Sequence, residues 1–104
     1  MLKKYETLLL LSPELASDNR TALVEGFTAI IEREGGQINE VDDWGSRQLA
    51  YPVQKQSRGY YVRLDYVAPG ATVAELERNI RIADGVFKFV TVKLDDSVKA
   101  QEEA

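Results

Sequence analysis

The chain has 104 residues, with 13 Lys and Arg against 17 Asp and Glu, and it contains neither His nor Cys. This length predicts one compact domain that buries about 65% of its extended-chain surface without help from metals or disulfides. The absence of Cys excludes a disulfide framework, thiol catalysis and Cys-based zinc sites, and the absence of His removes the usual general base. Taken as a whole, the formal net charge of -4 argues against a nucleic-acid-binding protein.

The amino-terminal segment predicts neither export nor membrane insertion. The apolar run from Leu8 to Leu11 is closely bracketed by Glu6 and Pro13. A secretory signal needs roughly 7–15 apolar residues, and a membrane-spanning helix needs about 20. We therefore expect a cytoplasmic protein with no membrane partner.

The first third of the chain predicts a strand followed by a helix. Residues 5–11 are almost continuously apolar, as expected of a central strand, and Ser12-Pro13 ends it. We expect Ser17 to be the N-cap of a helix that ends at a Gly-Gly pair. Gly26, in the middle of this helix, is expected to mark close packing onto a strand. The apolar side chains that recur at helical spacing are Leu23, Phe27, Ile30 and Ile31.

The middle of the chain predicts a β-hairpin. Residues 38–53 fit a long strand, in which uneven alternation and Gly45 predict a bulge or bend. Pro52 places this strand at the edge of a sheet, because proline has no N–H to donate to a neighbouring strand. A polar turn over residues 54–59 leads into a strand over residues 60–67, whose side chains alternate between two faces.

The last third predicts a second helix and a final strand. Pro69-Gly70 ends the hairpin strand, and the stretch from Thr72 to Glu75 (TVAE) predicts a capping box at the start of a short amphipathic helix. Residues 86–94 fit the final strand.

The order of the elements, β-α-β-β-α-β, predicts an α+β, ferredoxin-like sandwich. In this fold, two helices cover one face of a four-stranded antiparallel sheet and the other face is open. We expect one domain over residues 1–94 and a flexible acidic tail over residues 95–104.

No set of residues in the sequence supports catalysis. The remaining candidates are carboxylates, Lys, Tyr, Ser and Thr, because His and Cys are absent. The paired acids Asp42-Asp43, Asp95-Asp96 and Glu102-Glu103 fit solvated loop or tail charge better than a metal or acid–base site. Neither glycine-rich nucleotide-binding motif occurs. We therefore expect no enzyme activity, no catalytic residue, no metal, no cofactor and no small-molecule substrate.

Charge is distributed unevenly along the chain. Residues 14–43 carry eight acids against two Arg, and the tail contributes -3, which leaves -1 on residues 1–94. Residues 44–63 contain no acid, and their basic residues and interleaved tyrosines are Arg47, Tyr51, Lys55, Arg58, Tyr60, Tyr61 and Arg63. Basic groups bind phosphates and tyrosine rings stack on bases, so this hairpin is a candidate RNA-binding segment. Ordinary strand packing and cross-strand ion pairs also fit these residues.

The segment from Gly45 to Lys55 (GSRQLAYPVQK), followed by Gly59-Tyr60, resembles the signature of bacterial small-subunit ribosomal protein six. The opening from Lys3 to Glu6 (KKYE) is similar to that family's basic-basic-Tyr-Glu start. Val53 stands where Ile is more typical, and Gln54 stands where a basic or small residue is common. The resemblance covers nearly the whole chain and continues through Ser12-Pro13, Gly35-Gly36, Arg81-Ile82 and Val90-Thr91-Val92-Lys93.

This resemblance implies a structural, non-catalytic role in the small ribosomal subunit, together with the same fold. It also implies that the chain binds the central domain of the small-subunit ribosomal RNA (rRNA) as a heterodimer with small-subunit ribosomal protein eighteen. Carried over by position, the implied RNA-binding residues are Lys3, Lys4, Tyr5, Lys55, Arg58 and Lys88. The implied partner-facing or structural edge contains Arg47, Leu49 and Tyr51.

A basic protein partner fits the composition of the chain. RNA affinity depends on the neutralisation of phosphates by basic residues. A domain without an excess of basic residues contributes weakly to it. A competing hypothesis is a small-molecule-sensing regulatory module on the same sandwich. Such a module favours Gly-rich loops between strand and helix, whereas the first such junction, residues 11–14, contains no Gly.

Overall fold

The computed structural model describes residues 2–53 and 55–94. The tail over residues 95–104 and its paired acids lie outside the described residues, and the division into domain and tail stays a prediction. The elements, in chain order, are β1 (Lys3–Leu11), α1 (Ser17–Arg33), β2 (Gln37–Val53), β3 (Gln56–Ala68), α2 (Gly70–Ile82) and β4 (Val86–Lys93).

The four strands form one sheet in the order β2-β3-β1-β4, and each neighbouring pair is antiparallel. The predicted ferredoxin-like fold is confirmed. β1 lies in the centre of the sheet, as its continuous apolar sequence indicates, and β2 lies at an edge, as Pro52 indicates.

Both helices pack on the sheet face that carries alternate residues of β1 and β3. Phe27 and Ile31 of α1 are buried as predicted, but Val24 rather than Leu23 is the third buried residue of that helix. The core cluster consists of Tyr5, Leu9, Leu11, Val24, Phe27, Ile31, Val62, Leu64, Tyr66, Ala68, Leu76 and Ile80. Burial of a large apolar side chain contributes about 1.5–3 kcal/mol, so this one-sided core holds the sheet to its helices. The other sheet face has no covering element among the described residues.

The hairpin of β2 and β3 extends past the end of β1. Leu11 pairs with Tyr60, so residues 47–59, here called the hairpin arm, lie beyond the last pair of β1 and β3. The predicted irregularity of β2 is confirmed by three register shifts, one of them between Asp43 and Gly45. Leu49 and Tyr51 of the arm lie beside Leu10 and Lys88 of the open face.

The predicted helix starts are wrong in detail. The N-cap of α1 is Ala16 rather than Ser17, and α2 begins at Gly70, ahead of the predicted capping box. The Thr72 hydroxyl donates to the carbonyl oxygen of Glu34 at 2.7 Å, and Glu75 is paired with Arg78 at 2.7 Å. Thr72 therefore satisfies the end of α1, a tertiary contact that the local sequence does not reveal.

Gly26 and Gly36 differ sharply in their surroundings. A Cβ atom on Gly36 would lie 2.7 Å from Ile31 Cγ2 and 2.9 Å from the Val67 carbonyl oxygen. A Cβ atom on Gly26 would meet nothing within 4 Å, so the expected close packing there is wrong. The backbone at Gly36 excludes a larger residue, whereas the helix at Gly26 accepts one.

We predict that Gly36→Ala lowers the free energy of unfolding by about 2 kcal/mol, because backbone atoms must shift to admit the methyl group. Gly26→Ala is the matched control and should raise the free energy of unfolding by up to about 1 kcal/mol through helix propensity. Urea denaturation of the three proteins measures both values. Equal effects of the two substitutions would contradict this account of the packing.

Candidate RNA-binding and protein-binding surfaces

The open face of the sheet carries one guanidinium surrounded by four carboxylates, here called the Arg63 cluster. Arg63 nitrogens lie 3.4 Å from Glu6, 3.0 Å from Glu40, 3.5 Å from Asp42 and 3.6 Å from Asp65. Strand register explains the assembly, because Asp65 lies opposite both Glu6 and Glu40, and Arg63 lies opposite Asp42. The cross-strand alternative considered for Arg63 is therefore what the structure shows.

The Arg63 cluster is negatively charged. Burial lowers the pKa of the Arg63 guanidinium, whereas the four carboxylates raise it. The effect of the carboxylates is the larger, so the pKa lies above its ordinary value. The Arg63 side chain is only 18% exposed, and the carboxylates of Glu6, Glu40 and Asp42, but not that of Asp65, are more exposed than it is. With four carboxylates and one guanidinium, the cluster repels phosphate and attracts cations.

An aromatic pair borders the Arg63 cluster. The Trp44 indole N–H donates to Asp42 Oδ2 at 2.9 Å, and the Trp44 ring centroid lies 6.1 Å from that of Tyr61. Trp44 is partly exposed. Its indole therefore reports on the environment of the carboxylates beside it.

Next to the Arg63 cluster, the open face is apolar. Two adjoining cavities of about 130 and 230 Å³ share Leu10, Tyr61 and Lys88 in their lining. We call this depression the arm groove, because the hairpin arm contributes Leu49 and Tyr51 to it. The Lys88 ammonium lies 5.3 Å from the Tyr51 ring centroid, within cation–π range. The arm groove thus joins Lys88, a predicted RNA-binding residue, to two predicted partner-facing residues.

The predicted RNA-binding residues lie in two separate places. Lys3 begins β1, and the hairpin arm lies beyond the other end of that strand, about 26 Å away along eight residues. Lys55, at the tip of the arm, and Arg58 are both exposed. Arg58 donates to the Ser46 hydroxyl oxygen at 3.1 Å.

Two of the predicted RNA-binding residues are largely buried. Lys4 lies on the open face and is 9% exposed. Tyr5 points into the core, where it is 8% exposed and its ring stacks on Tyr66 with centroids 5.8 Å apart. Both assignments as RNA contacts stay predictions, and the structure assigns Tyr5 a packing role in addition.

The predicted partner-facing residues all lie on the β2 side of the hairpin arm. Arg47 donates through Nε to the Trp44 carbonyl oxygen at 3.2 Å, so it connects the arm to the bulge at Trp44. Leu49 is half-buried, and Tyr51 is 65% exposed. A ring this exposed on an irregular edge strand is available for contact with another macromolecule.

A further cavity, of about 330 Å³, lies between α1 and β2. The Arg20 guanidinium carbon lies 3.7 Å from the Tyr60 ring centroid, and the Tyr60 hydroxyl donates to Asp43 at 2.7 Å. The hydrogen bond to Asp43 and burial raise the pKa of the Tyr60 hydroxyl. Two of the charged side chains that line this cavity, Arg20 and Asp43, are thus in contact with Tyr60.

Sequence reasoning missed the Arg63 cluster as a unit. Alternation along β3 places Arg63 and Asp65 on one face, and this pattern is readable from the sequence. The contributions of Glu6 and Glu40 depend on strand register, which the sequence pattern did not specify across the bulges of β2.

Within residues 2–53 and 55–94, neither helix is long and apolar enough to cross a membrane. Across the same residues, no group of three or more His, Cys, Asp or Glu side chains has an arrangement that could hold a metal ion. The described residues thus form a ferredoxin-like domain with an acidic cluster on its open sheet face and basic residues at the start of β1 and on the hairpin arm.

Comparison with known proteins identifies the family. Residues 4–93 match the family model described as "Ribosomal protein S6". The chain is 66% identical over 98 residues to the small ribosomal subunit protein bS6 of Nitratidesulfovibrio vulgaris (strain DP4), covering 94% of this chain and 97% of that protein. It is 65% identical over 100 residues to bS6 of Desulfovibrio desulfuricans, covering 96% and 98%.

A solved structure agrees with these sequence matches. The crystal structure of 30S ribosomal protein S6 from Thermotoga maritima superposes with a TM-score of 0.90 at 27% identity, covering 99% of this chain and 97% of that chain. The chain belongs to the ribosomal protein S6 family. It is therefore a structural protein of the bacterial small ribosomal subunit, in the cytoplasm, and not an enzyme, as predicted.

We predict that Arg63→Gln lowers the free energy of unfolding by about 2 kcal/mol, because it leaves four neighbouring carboxylates without their cation. High salt should reduce this loss by screening the repulsion. The matched control is Arg81→Gln, whose side chain is 62% exposed and whose loss should cost less than about 0.5 kcal/mol. Urea denaturation at low and high salt measures both, and equal losses for the two variants would contradict the role given to Arg63.

Proposed function

We propose that this chain binds the central domain of the small-subunit rRNA as a heterodimer with small-subunit ribosomal protein eighteen. The observation that carries the proposal is the separation of charge on the molecule. Basic residues lie at the start of β1 and on the hairpin arm, whereas the open face has an acidic cluster at its centre. Membership of a small-subunit ribosomal protein family supports the proposal.

On the RNA side, we assign phosphate contacts to Lys3, Lys55, Arg58 and Lys88. Lys55 and Arg58 are exposed on the hairpin arm, and Lys88 is exposed at the arm groove. Phosphate contacts orient a protein on RNA and make its affinity salt-dependent.

For Lys4 and Tyr5, we propose a supporting role at the start of β1. The Tyr5 ring anchors this strand end in the core through its stack on Tyr66. A fixed strand end holds Lys3 in one place, which limits the entropy that its phosphate contact must lose on binding.

On the protein side, we assign contacts with the partner to Arg47, Leu49 and Tyr51. Leu49 and Tyr51 offer apolar and aromatic area in the arm groove. Among residues 2–53 and 55–94, no strand lies beyond the outer edge of β2, so the backbone groups of this edge can pair with an added segment. A basic partner would also supply the phosphate neutralisation that a chain of net charge -4 lacks.

The proposal is tested by measuring the affinity of the chain for an rRNA central-domain fragment, alone and with protein eighteen from the same genome. We expect weak, strongly salt-dependent binding alone, and at least about tenfold tighter binding with the partner. Equal affinity with and without the partner, insensitive to salt, would count decisively against the proposal.

We predict that the double variant Lys3→Ala/Lys55→Ala reduces the slope of log affinity against log salt by about two for the heterodimer–RNA complex, one for each lost phosphate contact. The matched control is Arg33→Ala/Arg78→Ala, which removes the same charge from two exposed helix positions. The control should keep the wild-type slope. If the two double variants change the slope equally, the assignment of Lys3 and Lys55 is wrong.

A further inference from the structure

We propose that the hydroxyl groups of Thr7, Tyr66 and Thr91, here called the hydroxyl cluster, fix the register of β4 on β1 and thereby position Lys88 for its phosphate contact. The three are positioning residues, because they act through Lys88. The positioning of Lys88 rests on the proposed function, which assigns this residue to RNA, whereas the register concerns the sheet alone.

The hydroxyl cluster lies on the sheet face that the helices cover. The Thr7 hydroxyl oxygen is 2.9 Å from that of Tyr66 and 2.9 Å from that of Thr91. Thr7 and Tyr66 are fully buried, and Thr91 is half-buried. Burial raises the pKa of the Tyr66 phenol above its ordinary value, more than its hydrogen bonds lower it. The cluster therefore joins β1, β3 and β4 through three neutral hydroxyls.

Thr91 completes the hydrogen bonding of the two buried hydroxyls. Each hydroxyl has one hydrogen to donate, so a pair formed by Thr7 and Tyr66 alone leaves one O–H without an acceptor in the pair. The Thr91 hydroxyl oxygen lies where it can accept this hydrogen. Because a buried donor without an acceptor is costly, the cluster favours the register that keeps Thr91 beside Thr7.

The apolar pattern of β4 does not select its register on β1. In the structure, Phe89 lies opposite Leu9 and Thr91 lies opposite Thr7. A slip of β4 by two residues keeps every side chain on its own face, and it would place Phe89 opposite Thr7 and Phe87 opposite Leu9. Backbone hydrogen bonds would re-form after the slip, because every residue of both strands has an N–H and a C=O. No hairpin turn joins β1 to β4, so turn geometry does not set the register either.

The slip would also displace Lys88. In the structure, Lys88 lies opposite Leu10, and its ammonium is 5.3 Å from the Tyr51 ring centroid. After the slip, Lys88 would lie opposite Leu8, about 7 Å closer to the start of β1 and away from the hairpin arm. The hydroxyl cluster on the covered face therefore decides where a cation lies on the open face.

The register is tested with Thr91→Val, which keeps the size of the side chain, removes its hydroxyl and leaves the bond between Thr7 and Tyr66 in place. In nuclear magnetic resonance spectra of the full chain, we expect a second register, seen as cross-strand contacts between Phe89 and Thr7. Amide hydrogen exchange in β4 should be at least about tenfold faster than in wild type.

Two matched variants separate the hydroxyl from other effects of substitution. Thr91→Ser keeps the hydroxyl and loses the methyl group. Thr28→Val removes a hydroxyl that donates to the Glu25 carbonyl oxygen within α1. Both should show one register and amide exchange within about twofold of wild type, and circular dichroism should show that all three variants are folded.

The effect on Lys88 is tested by a double-mutant cycle on the heterodimer, using the rRNA central-domain fragment. Thr91→Val should weaken binding about threefold, because only chains in the native register present Lys88 correctly. In a Lys88→Ala background, the same substitution should change the affinity by less than about 1.5-fold, since the displaced group is already absent.

Each alternative outcome has a definite meaning. If Thr91→Val keeps one register and the exchange rates of Thr28→Val, or if Thr91→Ser slips equally, the inference is overturned and the proposed function stands. If Thr91→Val slips but weakens RNA binding equally with and without Lys88, the positioning of Lys88 is overturned. If Lys88→Ala binds RNA as tightly as wild type, the assignment of Lys88 in the proposed function is wrong and its positioning falls with it, while the resonance spectra still decide the register.

Discussion

The contact between Arg63 and four carboxylates is the constraint on which the open face depends. Three strands contribute to it, since Glu6 lies on β1, Glu40 and Asp42 on β2, and Asp65 on β3. Without a central cation, the strand register that packs the apolar core on one face would bring like charges together on the other. The guanidinium thus allows one sheet to have an apolar covered face and an acidic open face.

This arrangement explains how an acidic protein can work in a ribonucleoprotein particle. The net charge of -4 includes -3 from residues 95–104. In the rest of the chain, acidic residues are concentrated in the Arg63 cluster and on α1. Basic residues lie at the start of β1 and on the hairpin arm. In the proposed function, the phosphate contacts of Lys3, Lys55, Arg58 and Lys88 all lie outside the Arg63 cluster, whose carboxylates repel phosphate.

Much of the fold was predictable because its strands and helices follow simple periodicities. The alternation over residues 60–67 indicated a strand with two distinct faces, and Val62, Leu64 and Tyr66 form its buried face. Pro52 indicated an edge strand, which is confirmed. The prediction of a capping box at Thr72 was wrong. The Thr72 hydroxyl donates instead to the Glu34 carbonyl oxygen at the end of α1, a contact between residues distant in sequence. The Arg63 cluster escaped prediction for the same reason, since it requires the register of three strands. The resemblance to ribosomal protein six supplied candidate binding residues without showing that Tyr5 is buried.

The central claim, that RNA does not bind at the Arg63 cluster, is tested most directly by the fluorescence of Trp44, the only tryptophan of the chain. Its indole N–H is bonded to Asp42 at the Arg63 cluster, so its emission reports on docking at the open face. Using a protein eighteen variant without tryptophan, we predict that the partner shifts the emission maximum and that the rRNA fragment alone leaves it unchanged. A shift caused by RNA alone, with none caused by the partner, would contradict the account.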